Sequence, residues 1–129
     1  MEETRYLIDT NAVIDYLGSK IPDSGINFMN SIVDDIPNVS VITKIELLSF
    51  DSSDEHNNTL RSFIGDSTVL DLSVSIVDAS IEIRKRRRTK LPDAIIAATA
   101  LVYGFVLVTR NTSDFKDIDG LKLLDPHTL

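Results

Sequence analysis

A chain of 129 residues, 43% of them hydrophobic, is long enough for one domain whose core needs no cross-link. With no cysteine it has no disulfide, no thiolate zinc site and no cysteine nucleophile. The net charge of −7 argues against nucleic-acid binding only on average: six of the 13 basic residues fall between Arg84 and Lys90, and phosphate responds to local potential.

The first residues, MEETR, lead straight into YLID, so neither a signal peptide nor a membrane span is expected and the default location is the cytoplasm. Tyr6-Leu7-Ile8 reads as a short apolar strand ending in Asp9. A helix follows over Ala12–Leu17, stopped near Gly18, with Asp9, Thr10 or Asn11 able to cap it. Residues 18–25, with two glycines and Pro22, read as a loop, and Asn27–Ile36 as a second helix. Val39–Ile42 is the next strand. Thr43-Lys44-Ile45-Glu46 then has the T-x-x-E form of a capping box opening a helix to Phe50. The polar stretch DSSDEHNN, 51–58, reads as a break before a short helix over Thr59–Ile64. Neither His56 in that stretch nor His127 near the end has a partner pattern that suggests a base or ligand.

Thr68–Leu72 is a short strand, and a helix is expected from Ser73 to about Arg88. Val74, Val77 and Ile81 form one stripe on it and Ile76, Ala79 and Ile83 another, which implies two packing surfaces, the second more readily supplied by the chain itself than by a partner. Pro92 suits the first turn of a further helix, uncharged from Ala94 to Tyr103 and so buried on most sides, with Gly104 as its left-handed end. Phe105–Thr109 is an apolar run suited to the interior of a parallel sheet. Asp114 lies just beyond it. Asp119-Gly120 is a turn, and Leu121–Leu124 the last strand. Strands alternating with helices predict an α/β domain.

Asp9, Glu46, Asp93 and Asp114 each follow a strand or open a helix. In such sheets these positions gather at the carboxyl edge of the strands, where sites form. Each acid alone has a capping explanation. Four at one edge raise one another's pKa unless a cation shares them, and hard, oxygen-seeking Mg²⁺ or Mn²⁺ is the natural candidate. No Ser–His pair, glycine-rich phosphate loop or zinc spacing competes, which leaves metal-assisted phosphodiester hydrolysis.

The segments LIDTNAVIDYL, TKIELL, LPDAIIAATA and VTRNTSDF resemble the ordered motif series of PIN-domain ribonucleases, most closely the VapC-type toxins of toxin–antitoxin pairs. The resemblance implies one three-layer α/β/α domain over 1–129 with a central parallel sheet of four to five short strands. It implies a Mg²⁺- or Mn²⁺-dependent endonuclease for RNA, commonly a homodimer, inhibited by a VapB-like antitoxin. Carried over, Asp9, Asp93 and Asp114 are the metal ligands and Glu46 completes the acidic quartet. Asn11, Thr109 and Asn111 are supporting polar residues. The resemblance gives the basic run no role; its position just before Asp93 suggests that Arg86, Arg87 and Arg88 touch RNA phosphate. One alternative is a binding module holding a structural cation, for which metal would raise thermal stability while RNA survives incubation. Another is a phosphatase or receiver domain, disfavoured because no second Asp follows Asp9 by two positions and no paired acids with a late-strand Lys are present.

Overall fold

In the computed structural model, which describes residues 3–129, five strands form one all-parallel sheet in the order β3-β2-β1-β4-β5. The strands are β1 (Tyr6–Ile8), β2 (Asn38–Ser40), β3 (Thr68–Leu70), β4 (Val106–Val108) and β5 (Leu123–Leu124). Seven helices are described: α1 (Thr10–Leu17), α2 (Asp23–Asp34), α3 (Val41–Leu48), α4 (Asp54–Gly65), α5 (Val74–Arg86), α6 (Leu91–Tyr103) and α7 (Thr112–Phe115). The expected three-layer α/β/α arrangement is present.

Side chains alternate across the two central strands, so neighbouring residues feed opposite cores. Leu7 and Leu107 join Ile76, Ile83, Ala97 and Phe115 on the side covered by α5 and α6. Ile8 and Val108 join Val13, Met29, Leu47 and Leu60 on the side covered by α1 to α4. Continuous apolar strands are what a sheet covered on both faces requires. Helix α6 is buried over Ala94, Ile96, Ala97, Ala98, Thr99 and Ala100 and ends at Gly104 with φ of +71°, as its composition and glycine predicted.

Several boundaries differ from the sequence reading. Helix α3 starts at Val41, not Thr43, because Ser40 caps it by accepting a hydrogen bond from Ile42 N; there is no Thr43–Glu46 capping box. Helix α4 starts at Asp54, taking in His56. Ser53 accepts from His56 N, and two acids in the first turn complement the helix dipole, so capping outweighs the polarity that suggested a break. Helix α2 begins at Asp23 and includes Gly25. A Cβ there would lie 1.8 Å from the Pro126 carbonyl oxygen, so the glycine admits the chain's last segment. On α5, Ile76 and Ile83 are buried but Val74, Val77 and Ile81 are exposed, so no other helix among the described residues covers the second stripe.

Candidate functional site

Strands β1 and β4 are neighbours at the centre of the sheet, and the chain leaves them toward opposite edges: β1 leads to β2 and β3, β4 to β5. This is the topological switch point, where a crevice opens beyond the strand ends. Asp9 and Thr109 stand at its two lips, one residue past each strand.

Asp9 is the N-cap of α1 and only 5% exposed. Its Oδ1 accepts from Thr10 N at 2.8 Å; its Oδ2 accepts from Thr109 Oγ1 at 2.8 Å and Asn11 Nδ2 at 3.0 Å. The single Thr109 hydroxyl proton goes to Asp9, and its oxygen takes hydrogen bonds from Asn11 Nδ2 and Asn111 N. Asn11 Oδ1 accepts from Arg110 N at 3.0 Å. The donors therefore fix one carboxylate in one orientation and cross-link the two lips. Burial nevertheless pushes the Asp9 carboxyl up: desolvation and the charges of Asp93 and Glu46 outweigh the hydrogen bonds from Thr109 and Thr10.

Asp93 comes from the first turn of α6. Its carboxyl is also raised, first by burial and then by the charges of Asp114 and Glu46, against the opposing pull of Lys90. Asp114, just beyond β4 as expected, sits in the single turn α7. Glu46 is reached from β2 through α3: Thr10 Oγ1 lies 2.7 Å from its Oε1 and 3.0 Å from Thr43 Oγ1. With one proton to give, Thr10 donates to the carboxylate and accepts from Thr43. Thr43 and Glu46 thus act across the edge of the sheet rather than as each other's caps.

All four predicted acids share one field, and Asn11, Thr109 and Asn111 support the first of them. The donor set is all oxygen, and its four acids outweigh the pull of Lys90 on Asp93, which fits a hard divalent ion. Among the described residues no three His, Cys, Asp or Glu side chains converge closely enough to cage an ion. An ion here would complete its shell with water and substrate oxygens, as Mg²⁺ characteristically does.

The basic run divides. Arg87 is turned onto the loop after α7, with Nη1 donating to the Asp117 carbonyl and Nη2 3.3 Å from its carboxylate. Lys85 and Arg86 lie near Glu82 on the exposed face of α5. Arg88 lies in the exposed link to α6.

The sequence reading missed a second polar group beside the first. Asp15, 2% exposed, accepts from Arg110 Nη1 at 3.1 and 2.9 Å, and His127 Nε2 lies 3.0 Å from its Oδ2. His127, read as partnerless, is therefore engaged. A signal existed: Asp15 is three residues after the buried Ala12 and so on the inward side of α1, where an acid needs a partner.

No curated protein sequence matches the chain. Its fold is similar to that of a chain in a toxin–antitoxin complex from Klebsiella pneumoniae, at 29% identity and a TM-score of 0.72, covering 94% of this chain and 97% of that one. It is also similar to a chain of a DNA-bound VapBC from Salmonella typhimurium, at 25% identity and a TM-score of 0.80, covering 96% and 99%. A third likeness is to VapBC2 from Rickettsia felis bound to a promoter DNA fragment, at 25% identity and a TM-score of 0.77, covering 94% and 98%. Residues 6–121 match the PIN domain, and the chain belongs to the PIN-domain family.

Proposed function

We propose that this PIN domain is the toxin of a VapBC-type pair and a Mg²⁺- or Mn²⁺-dependent endoribonuclease. The observation that carries the reading is Asp9: a buried carboxylate at the switch point, oriented by three donors, raised in pKa and given no protein cation. In this reading Asp9, Asp93 and Asp114 hold the ion. Bound there, it would supply Lewis-acid neutralisation of the charge that develops on the phosphoryl oxygens. Glu46, steadied by Thr10, orients the attacking water. Thr109 and Asn11 hold Asp9 in place, and Asn111 closes the loop beside it through its main-chain bond to Thr109.

The VapBC complexes among its structural relatives support a VapB-like antitoxin as partner. The uncovered stripe of Val74, Val77 and Ile81, with Leu72 and Leu91 beside it, supports a homodimer. No helix of the described residues is long and apolar enough to cross a membrane, and the proposed location is the cytoplasm. Arg86, Arg87 and Arg88 are proposed to touch RNA phosphate; neutralising all three then weakens binding and flattens its salt dependence, and unchanged binding would remove them from the interface.

The test is incubation of purified protein with RNA in Mg²⁺, in Mn²⁺ and in EDTA, beside Asp93→Asn. Metal-dependent cutting that the variant loses is the expected result. A folded, antitoxin-free protein that binds RNA and leaves it whole with either metal would instead be a binding module.

A further inference from the structure

We infer that Arg110, held from behind by Asp15 and His127, grips a phosphate of the RNA that flanks the scissile one; this rests on the nuclease reading of the acidic edge. The acidic quartet repels a polyanion, so RNA must be brought to it by cations placed near it but outside it. Arg110 is such a cation. Its main-chain N–H is bonded to Asn11, which touches Asp9, so its backbone belongs to the crevice. Its side chain runs along α1 to Asp15, six residues beyond Asp9 and thus roughly 9 Å along the helix. That separation suits a neighbouring nucleotide rather than the one being cut.

The guanidinium is bonded on one side only. Nη1 spans both oxygens of Asp15, whereas Nε and Nη2 have no hydrogen-bond partner among the described residues, and the side chain is 51% exposed. The support is rigid where the tip is free. Asp15 is buried, and His127 Nε2 lies 3.0 Å from its Oδ2 while the His127 main-chain N–H donates to Asp125 Oδ1. The last segment of the chain is itself seated on α2 through the contact of Pro126 with Gly25. A planar fork with its rotamer fixed and its outer donors open is the form in which arginine recognises phosphate with least loss of side-chain entropy. A purely structural ion pair explains the buried end of this arrangement but leaves Nε and Nη2 unused on a half-exposed tip.

The experiment measures binding of a labelled single-stranded RNA in EDTA, apart from any cutting, over a range of salt concentrations. Arg110→Gln is expected to lower affinity by about tenfold, the cost of one hydrogen bond to a charged group. It should also make the slope of log K against log salt shallower by about 0.7, one phosphate contact on a single strand. Arg110→Lys keeps the slope. Because Arg110→Gln leaves Asp15 short of a partner and can weaken the fold, the second measurement uses the unaltered protein: saturating RNA should protect Arg110 from phenylglyoxal, read by mass spectrometry. An unchanged slope in a folded Arg110→Gln protein, full modification under RNA, or no RNA binding overturns the inference. Binding and protection without metal-dependent cutting would keep the phosphate contact but remove the nuclease reading, and with it the contact's place beside a scissile phosphate.

Discussion

Helix α1 carries a buried aspartate at its start and another six residues on, and the molecule treats them in opposite ways. Asp15 is met by two basic side chains, Arg110 and His127. Asp9 is met by hydroxyl, amide and main-chain donors only, and by the charges of other acids. Burying a charge is costly unless something answers it, and basic side chains answer Asp15 whereas only neutral donors answer Asp9. The two acids are therefore told apart by the sign of their neighbours, since burial alone does not separate 2% from 5% exposure; on the proposed reading, Asp9 is the one that binds a ligand.

The largest effect should come from unbalancing the completed pair. Arg110→Ala leaves Asp15 buried with His127 alone, and a loss of about 3 kcal/mol is expected in denaturant unfolding, at the low end for a broken buried pair. Asp15→Ala should be milder, because the half-exposed guanidinium can turn to water. Equal losses would mean that burial of the carboxylate is not what the pair answers. At the other aspartate, Thr109→Val removes a donor without emptying space. Activity or metal affinity should fall by about 10- to 100-fold, as when the partner of a ligand is lost, with little change in stability. A melting temperature that drops as far as activity does would make Thr109 a structural residue.

The smallest effect is one of sign. Asp93 is raised above the ordinary carboxylate value, so the metal-free protein binds its proton more tightly folded than unfolded. Its contribution favours folding below the unfolded pKa of 3.8 and is lost as pH rises through the higher folded value. At neutral pH in EDTA, Asp93→Asn should therefore melt slightly above the unaltered protein, and the gap should close on acidification. Mg²⁺ should reverse the order, because a ligand of the folded state stabilises it by about 2.7 kcal/mol at a hundredfold excess over Kd. A variant less stable in EDTA at every pH would show that helix-dipole support for the charge outweighs its burial and its acidic neighbours.

What could be read from the sequence was what depends on order along the chain. Apolar runs marked the strands, Pro92 and Gly104 bracketed α6, and the four acids stood beside strand ends or helix starts. What could not be read depends on pairing at a distance. Thr43 and Glu46 have the spacing of a capping box, but Ser40 caps the helix and the approach of Thr10 from another element shows that they serve elsewhere. His127 has no local pattern because its partner is 112 residues away. The start of α4 was legible and was missed: Ser53 with Asp54 and Glu55 is a better helix signal than the surrounding polarity is a loop signal.

The hydrogen bond from Thr109 to Asp9 joins residues 100 apart in a sheet whose strands all run the same way. Such contacts close late, because a long stretch of chain must be gathered before they return any energy. Strand β1 lies between β2 and β4, so it can pair on one side early but is flanked on both only after α6 has been made. A nascent chain that stops short of β4 has Asp9 without its hydroxyl partner and lacks Asp114 altogether. On the nuclease reading, topology itself keeps unfinished molecules harmless to the cell that is translating them.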